Sequence, residues 1–101
     1  MAQPIRILIV DDHPVVREGI LRHFAESSKH DVVAAVSSIS EALSTLEASD
    51  VDITILDIRM PTGVDESTIA ALVNHRTRIL LFSLMEEGEV VASLIDAGAA
   101  G

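Results

Sequence analysis

The sequence predicts a doubly wound α/β domain built on a parallel sheet, and three observations carry that reading. Short apolar, β-branched runs alternate with stretches of helical period along the whole chain. The strand runs are nearly continuous in apolar residues, as expected of strands covered on both faces. Consecutive β-α units joined by right-handed crossovers then leave a parallel sheet with helices on both sides.

The first run, Ile5-Arg6-Ile7-Leu8-Ile9-Val10, is predicted as a buried strand. Pro14 suits a first helical position, which makes His13 the N-cap, and Val16, Ile20 and Phe24 recur on one face of the helix that follows. Val32 to Val36 reads as a second buried strand. Ser38 with Glu41 is a capping-box pair that opens a helix carrying Ala42, Leu43 and Leu46. Ile53-Thr54-Ile55-Leu56 is a third strand ending in Asp57, and Met60-Pro61-Thr62-Gly63 is a loop by its punctuation. Thr68 to His75 is predicted helical, with Ile69, Leu72 and Val73 inward. Arg78 to Ser83 is a fourth strand, and Glu89 to Ala97 a fourth helix that Gly98 is placed to terminate.

The bulk composition narrows the function. A chain of 101 residues supports one compact domain. At 49% hydrophobic residues it is no disordered tail. Cysteine is absent, which excludes disulfides and thiolate metal sites. Seven basic against 16 acidic residues, a net charge of −9, argue against this segment gripping nucleic acid by itself. The ordinary reading of such an acidic surface is solubility, with a carboxylate cluster at a metal site contributing. No apolar run approaches the roughly 20 residues of a membrane span. The N-terminus lacks a signal-peptide layout, so a soluble cytoplasmic chain is expected.

Ligands of doubly wound sheets bind beyond the carboxyl ends of the strands, where strand order reverses. Asp11 and Asp12 follow strand one, Asp57 follows strand three, and Ser83 closes strand four. If strands one and three are neighbours, three carboxylates converge there, and like charges raise one another's pKa unless a cation relieves them. Mg²⁺ suits such a set, because it takes oxygen ligands and commonly binds one or two carboxylates plus phosphate. A carboxylate beside Mg²⁺ can attack phosphorus and become an aspartyl phosphate, with the Ser83 hydroxyl as a donor to the transferred group. Taken singly, Asp11 reads as a cap or turn residue, Asp57 as a solvated turn carboxylate and Ser83 as a polar strand boundary. Together they share one edge. The four histidines, His13, His23, His30 and His75, read as surface or boundary packing rather than metal ligands. Lys29, the only lysine of the sequence, precedes strand two on the opposite edge and cannot serve the carboxylates.

These residues resemble the receiver domains of two-component response regulators. Ile7-Leu8-Ile9-Val10-Asp11-Asp12-His13-Pro14 looks like the opening of the NarL/FixJ subfamily, and Asp57-Ile58-Arg59-Met60-Pro61 matches the D-x-x-M-P phosphoacceptor motif. Phe82-Ser83-Leu84-Met85 with Glu86 and Glu87 resembles the Ser/Thr switch strand and its loop, and Ala97-Gly98-Ala99-Ala100-Gly101 the lead into strand five. The resemblance implies a flavodoxin-like strand order 2-1-3-4(-5) and an aspartate switch rather than an enzyme, at most catalysing its own phosphorylation and dephosphorylation. It implies Asp57 as phosphoacceptor from a sensor histidine kinase, and Mg²⁺ held by Asp12, Asp57 and the Arg59 carbonyl, with Asp11 acting through water. Ser83 would bind a phosphoryl oxygen, and Arg59 and Met85 would tune how long the phosphate survives. The subfamily implies a DNA-binding output domain beyond this chain, and DNA contact only through it.

Two departures stand against that pattern. The family's strand-five lysine has no counterpart in this sequence, which is expected to be a receiver domain over 1–101 lacking strand five and helix five. Strand four is then expected as a poorly guarded edge of Ile79, Leu80, Leu81 and Phe82, open to a homodimer or strand-edge pairing, or the protein continues past Gly101. The family also carries glycine eight residues after the acceptor, where this chain has Asp65. A Mg²⁺-dependent phosphohydrolase of the haloacid dehalogenase type is a competing reading, but it needs D-x-D after strand one, where this chain has Asp11-Asp12-His13-Pro14. A degenerate receiver serving only as a dimerisation surface is the third.

Overall fold

The computed structural model describes residues 3–59, 64–82 and Gly98. Within them the chain runs β1 (Ile5–Val10), α1 (Pro14–Ala25), β2 (His30–Val36), α2 (Ile39–Ala48), β3 (Ile53–Asp57), α3 (Glu66–Val73) and β4 (Arg78–Phe82). The strands form one parallel sheet in the order β2-β1-β3-β4. The predicted doubly wound α/β class and strand order are therefore observed, with β4 an outer strand among the described residues.

The central strand explains why its sequence is unbroken. Ile7, Leu8, Ile9 and Val10 are each at most 2% exposed, because both faces of β1 are covered. Leu8 and Val10 join Leu56 and Ile79 in a core closed by Ala42 and Leu46 of α2 and Ile69 and Leu72 of α3. Ile7 and Ile9 point to the other face, where α1 lies along β1 and β2. Inside the sheet, Thr54 is fully buried and its hydroxyl meets that of Thr77 at 2.9 Å, so neither polar group is left unpaired.

The boundaries differ from expectation in instructive places. β2 begins at His30, two residues before the predicted start: it is an outer strand, and the outward Asp31 breaks the apolar run without breaking the pairing. α2 opens at Ser38, whose Oγ accepts from the Glu41 amide at 3.2 Å. The Glu41 carboxylate accepts from the Ser37 and Ser38 hydroxyls instead of completing the box on the backbone. α3 spans Glu66–Val73, not Thr68 to His75. Asp65 is its N-cap, accepting from the Thr68 amide at 2.9 Å, and Thr68 Oγ1 accepts from the Asp65 amide in return. The residue that departs from the glycine pattern is thus the one that starts the helix.

Gly98 adopts φ 129°, and a Cβ there would meet Val73 Cγ2 of α3 at 3.3 Å, so conformation and close approach both ask for glycine. The loop at 60–63, the final residue of predicted strand four and the helix predicted at Glu89–Ala97 lie outside the described residues. Among the described residues no helix is long and apolar enough to cross a membrane.

Candidate functional site

The register of the sheet builds the site. Val10 of β1 lies opposite Leu56 of β3, so the next residues, Asp11 and Asp57, emerge side by side. Backbone bonds pin both: the Asp11 amide donates to the Val36 carbonyl at 3.0 Å, and the Ile58 amide to the Phe82 carbonyl at 3.1 Å. Neighbouring strands on either side therefore hold the two turns that leave the central strands.

Each turn is closed by its own aspartate. Asp11 Oδ1 accepts the His13 amide at 2.8 Å, and Asp57 Oδ1 accepts the Arg59 amide at 2.9 Å. These are side-chain turns of the same i to i+2 form, so the modest reading of each residue as a turn former is correct for one oxygen. The remaining oxygens are what set the site apart. Asp11 is 1% and Asp57 5% exposed, and the buried Asp11 Oδ2 and Asp12 Oδ1 form no hydrogen bond among the described residues, Asp12 Oδ1 meeting only the His13 ring as an ion-pair contact. Buried polar atoms are nearly always paired, so unpaired carboxylate oxygens call for a ligand or an ion.

The third participant is an imidazole. His13 caps the backbone of α1 without using its side chain as a cap, and Pro14 takes the first helical position. The ring lies back over the carboxylates, with Nδ1 at 2.9 Å from Asp11 Oδ1, 3.1 Å from Asp12 Oδ1 and 3.2 Å from Asp57 Oδ2. One ligand atom from each of Asp11, Asp12, His13 and Asp57 lies within 4.8 Å of the others. Arg17, one turn into α1, donates from Nη1 to the Asp11 carbonyl at 2.8 Å and fixes that turn from the helix side.

The electrostatics follow from crowding. Burial pushes the Asp57 carboxyl above its ordinary value, and the neighbouring Asp11 charge and a shared hydrogen bond with it push the same way. The Arg59 amide and the His13 charge oppose the rise. His13 is raised by its hydrogen bond to Asp11 and then by the charge of Asp12. A divalent cation is the kind of ligand that would relieve such carboxylate repulsion.

The structure thus brings together Asp11, Asp12 and Asp57, as the sequence predicts, and sets the Arg59 backbone beside Asp57. Ser83 and Met85 lie outside the described residues. Lys29 sits at the other end of the sheet, where its carbonyl accepts the Ile5 amide at 2.8 Å. The expectation of packing roles holds for His30, which bonds Ser27 Oγ at 2.7 Å, and for His23, which meets Phe24 edge to face. It fails for His13. Sequence reasoning misses His13 and Arg17 because their partners are set by a turn back over the strand ends. The adjacency of His13 to the acidic pair is the available signal.

Comparison with known proteins follows the same line. A family model described as the response regulator receiver domain matches residues 7–101. The chain is 36% identical over 102 residues to the "probable transcriptional regulatory protein NarL" of Mycobacterium tuberculosis, covering 98% of this chain and 47% of that protein. It is 33% identical over 103 residues to the nitrate/nitrite response regulator protein homolog of Haemophilus influenzae, covering 100% of this chain and 50% of that protein. The solved signal receiver domain of NarL from Mycobacterium tuberculosis superposes with a TM-score of 0.88 at 33% identity, over 99% of this chain and 82% of that one. The chain spans about half the length of the curated relatives it matches.

Proposed function

We propose that this chain, which belongs to the response regulator receiver domain family, is a phosphorylation switch whose acceptor is Asp57. The observation that carries the proposal is the buried carboxylate cluster at the carboxyl ends of β1 and β3, with oxygens that form no hydrogen bond among the described residues. Its donor set is all oxygen apart from His13, which fits Mg²⁺. Asp12, Asp57 and the Arg59 carbonyl are the proposed direct ligands, with Asp11 acting through water. Bound there, Mg²⁺ supplies positive charge to the oxygens of a transferring phosphoryl group.

The residues of the chain then divide the work. An Asp57 carboxylate oxygen forms the new bond to phosphorus while the bond to the leaving nitrogen of a phosphohistidine, or the leaving oxygen of an acyl phosphate, breaks. The Arg59 amide holds Asp57 Oδ1, which leaves Oδ2 as the oxygen to attack. Ser83 is proposed as a donor to a phosphoryl oxygen, and Arg59 and Met85 as the side chains that set the lifetime of the product. The chain works as a switch rather than a turnover enzyme, at most catalysing its own phosphorylation and dephosphorylation.

The partners proposed are a sensor histidine kinase in the cytoplasm and a second copy of the chain, met through the β4 edge where Leu80 is 40% exposed. DNA is contacted only through an output domain elsewhere in a longer protein. The test is incubation of the protein with acetyl phosphate and Mg²⁺, read by intact mass. The expected result is one added phosphoryl group, absent in Asp57→Asn. Labelling that persists in that variant overturns Asp57 as the acceptor.

A further inference from the structure

The site described above holds a nitrogen that a plain oxygen-lined Mg²⁺ site does not need. His13 Nδ1 lies within 3.2 Å of one oxygen from each of three aspartates. A position that close to three carboxylates is where a cation would balance them, and the imidazole now fills part of it. The ring is not needed to start α1, since its side chain makes no cap hydrogen bond, and about half of that side chain is exposed. A second observation points to a ligand independently. The Asp11 side chain is 2% exposed, and its Oδ2 has no hydrogen-bond donor among the described residues. The cluster therefore has a buried oxygen in need of a positive partner, with a nitrogen donor beside it.

We infer that His13 is an imidazole ligand of the cation at this site and sets its metal preference toward Co²⁺ and Zn²⁺ over Mg²⁺. The inference rests on the reading of the carboxylate cluster as a cation site and deepens it. Carboxylate oxygens suit Mg²⁺ and Mn²⁺, whereas imidazole suits Zn²⁺ and the later transition metals. Adding one nitrogen to an oxygen set raises affinity along the series toward Zn²⁺ and gives Mg²⁺ little. The required change is small. His13 Nδ1 exchanges its proton for the metal, and the ring keeps its place, because the His13 amide stays anchored on Asp11 Oδ1 at 2.8 Å. Asp11 then plays two parts, holding the backbone of the ligand with one oxygen and facing the cation with the other.

The sequence supplies its own controls, since His23, His30 and His75 lie away from the cluster. Imidazole ¹⁵N spectra of the intact protein, titrated with Zn²⁺, should show the His13 Nδ1 resonance move at one equivalent while the other three rings stay still. Calorimetry should show His13→Asn losing about tenfold or more in Co²⁺ affinity with Mg²⁺ affinity held within about twofold. Asn is a good N-cap, so α1 keeps its start in the variant. Unchanged Co²⁺ affinity in His13→Asn, or tighter binding there, overturns the assignment and makes the ring a place-holder that metal displaces. Zn²⁺ that moves the Asp12 and Asp57 amides but not His13 Nδ1 overturns it alone. Failure of every divalent cation to bind overturns it together with the reading on which it rests.

Discussion

Asp52 and Asp11 sit at opposite ends of the same sheet, and the fold treats their carboxylates in opposite ways. At the amino ends of the strands, Asp52 Oδ2 accepts the Arg6 amide at 2.8 Å. The Asp52 amide donates to the Arg6 carbonyl at 2.9 Å, and its carbonyl accepts the Arg78 amide at 2.9 Å. One exposed residue thereby ties the starts of β1, β3 and β4 together. At the carboxyl ends, Asp11 and Asp57 are far more deeply buried, yet they stand against each other and against Asp12. Oxygens there form no hydrogen bond among the described residues. Charge and burial do not by themselves mark a working site. A buried carboxylate oxygen that folding does not satisfy does so, because the fold bears its desolvation cost without return until a ligand arrives.

Substitutions at the two ends should have opposite consequences, and this is the largest effect expected. Asp12→Ala should lower Mg²⁺ affinity by about tenfold or more, roughly 1.4 kcal/mol, while leaving the melting temperature unchanged or raised. Asp52→Ala should do the reverse: about 1 kcal/mol of stability is lost with its hydrogen bond, and Mg²⁺ binding is untouched. Calorimetry and thermal melts of both variants measure the pair, and equal losses of Mg²⁺ affinity would erase the distinction. A smaller effect is expected within the cluster itself. Asp57→Asn removes a charge that burial and Asp11 both oppose, so without metal the variant should melt above the parent chain. A lower melting temperature would mean that the cluster is satisfied as it stands.

The smallest effect belongs to a carboxylate that is satisfied locally. Hydrogen bonds from Ser67 and Thr68 hold the Asp65 carboxyl below its ordinary value of 3.8. The folded state therefore favours the ionised form. That contribution is complete above the ordinary value and drains away as pH falls through the lower folded one. In acid melts, Asp65→Asn should flatten that part of the stability loss while keeping α3 capped. An identical acid profile in both chains would show that the Asp65 charge contributes nothing to folding.

Much of this arrangement is legible in the sequence because its causes are local. The unbroken run Ile7 to Val10 announces a strand covered twice, Pro14 fixes the start of α1, and Ser38 the start of α2. Asp11, Asp12 and Asp57 are legible as a cluster once β1 and β3 are placed side by side. What is not legible depends on partners far away or on an outer position. The start of β2 hides behind Asp31, which faces outward on an outer strand. The start of α3 reads two residues late in the sequence, because Asp65 stands out there against a glycine pattern and its capping of Thr68 shows only in the fold. The Thr54 and Thr77 hydroxyls are 23 residues apart, and no spacing rule joins them. His13 is visible beside the acidic pair, but only the turn closed by Asp11 Oδ1 lays its ring across three carboxylates.

Whether the unpaired oxygens mark a cation site is decided by an amide NMR titration of the protein with Mg²⁺. Saturable shifts are expected at Asp11, Asp12, Asp57 and Arg59, the residues around those oxygens. Asp52 and Asp65, which are bonded to backbone amides and do not belong to the carboxylate cluster, should not move. Shifts spread evenly over all the acidic residues, or none at the carboxyl ends of β1 and β3, would contradict the assignment.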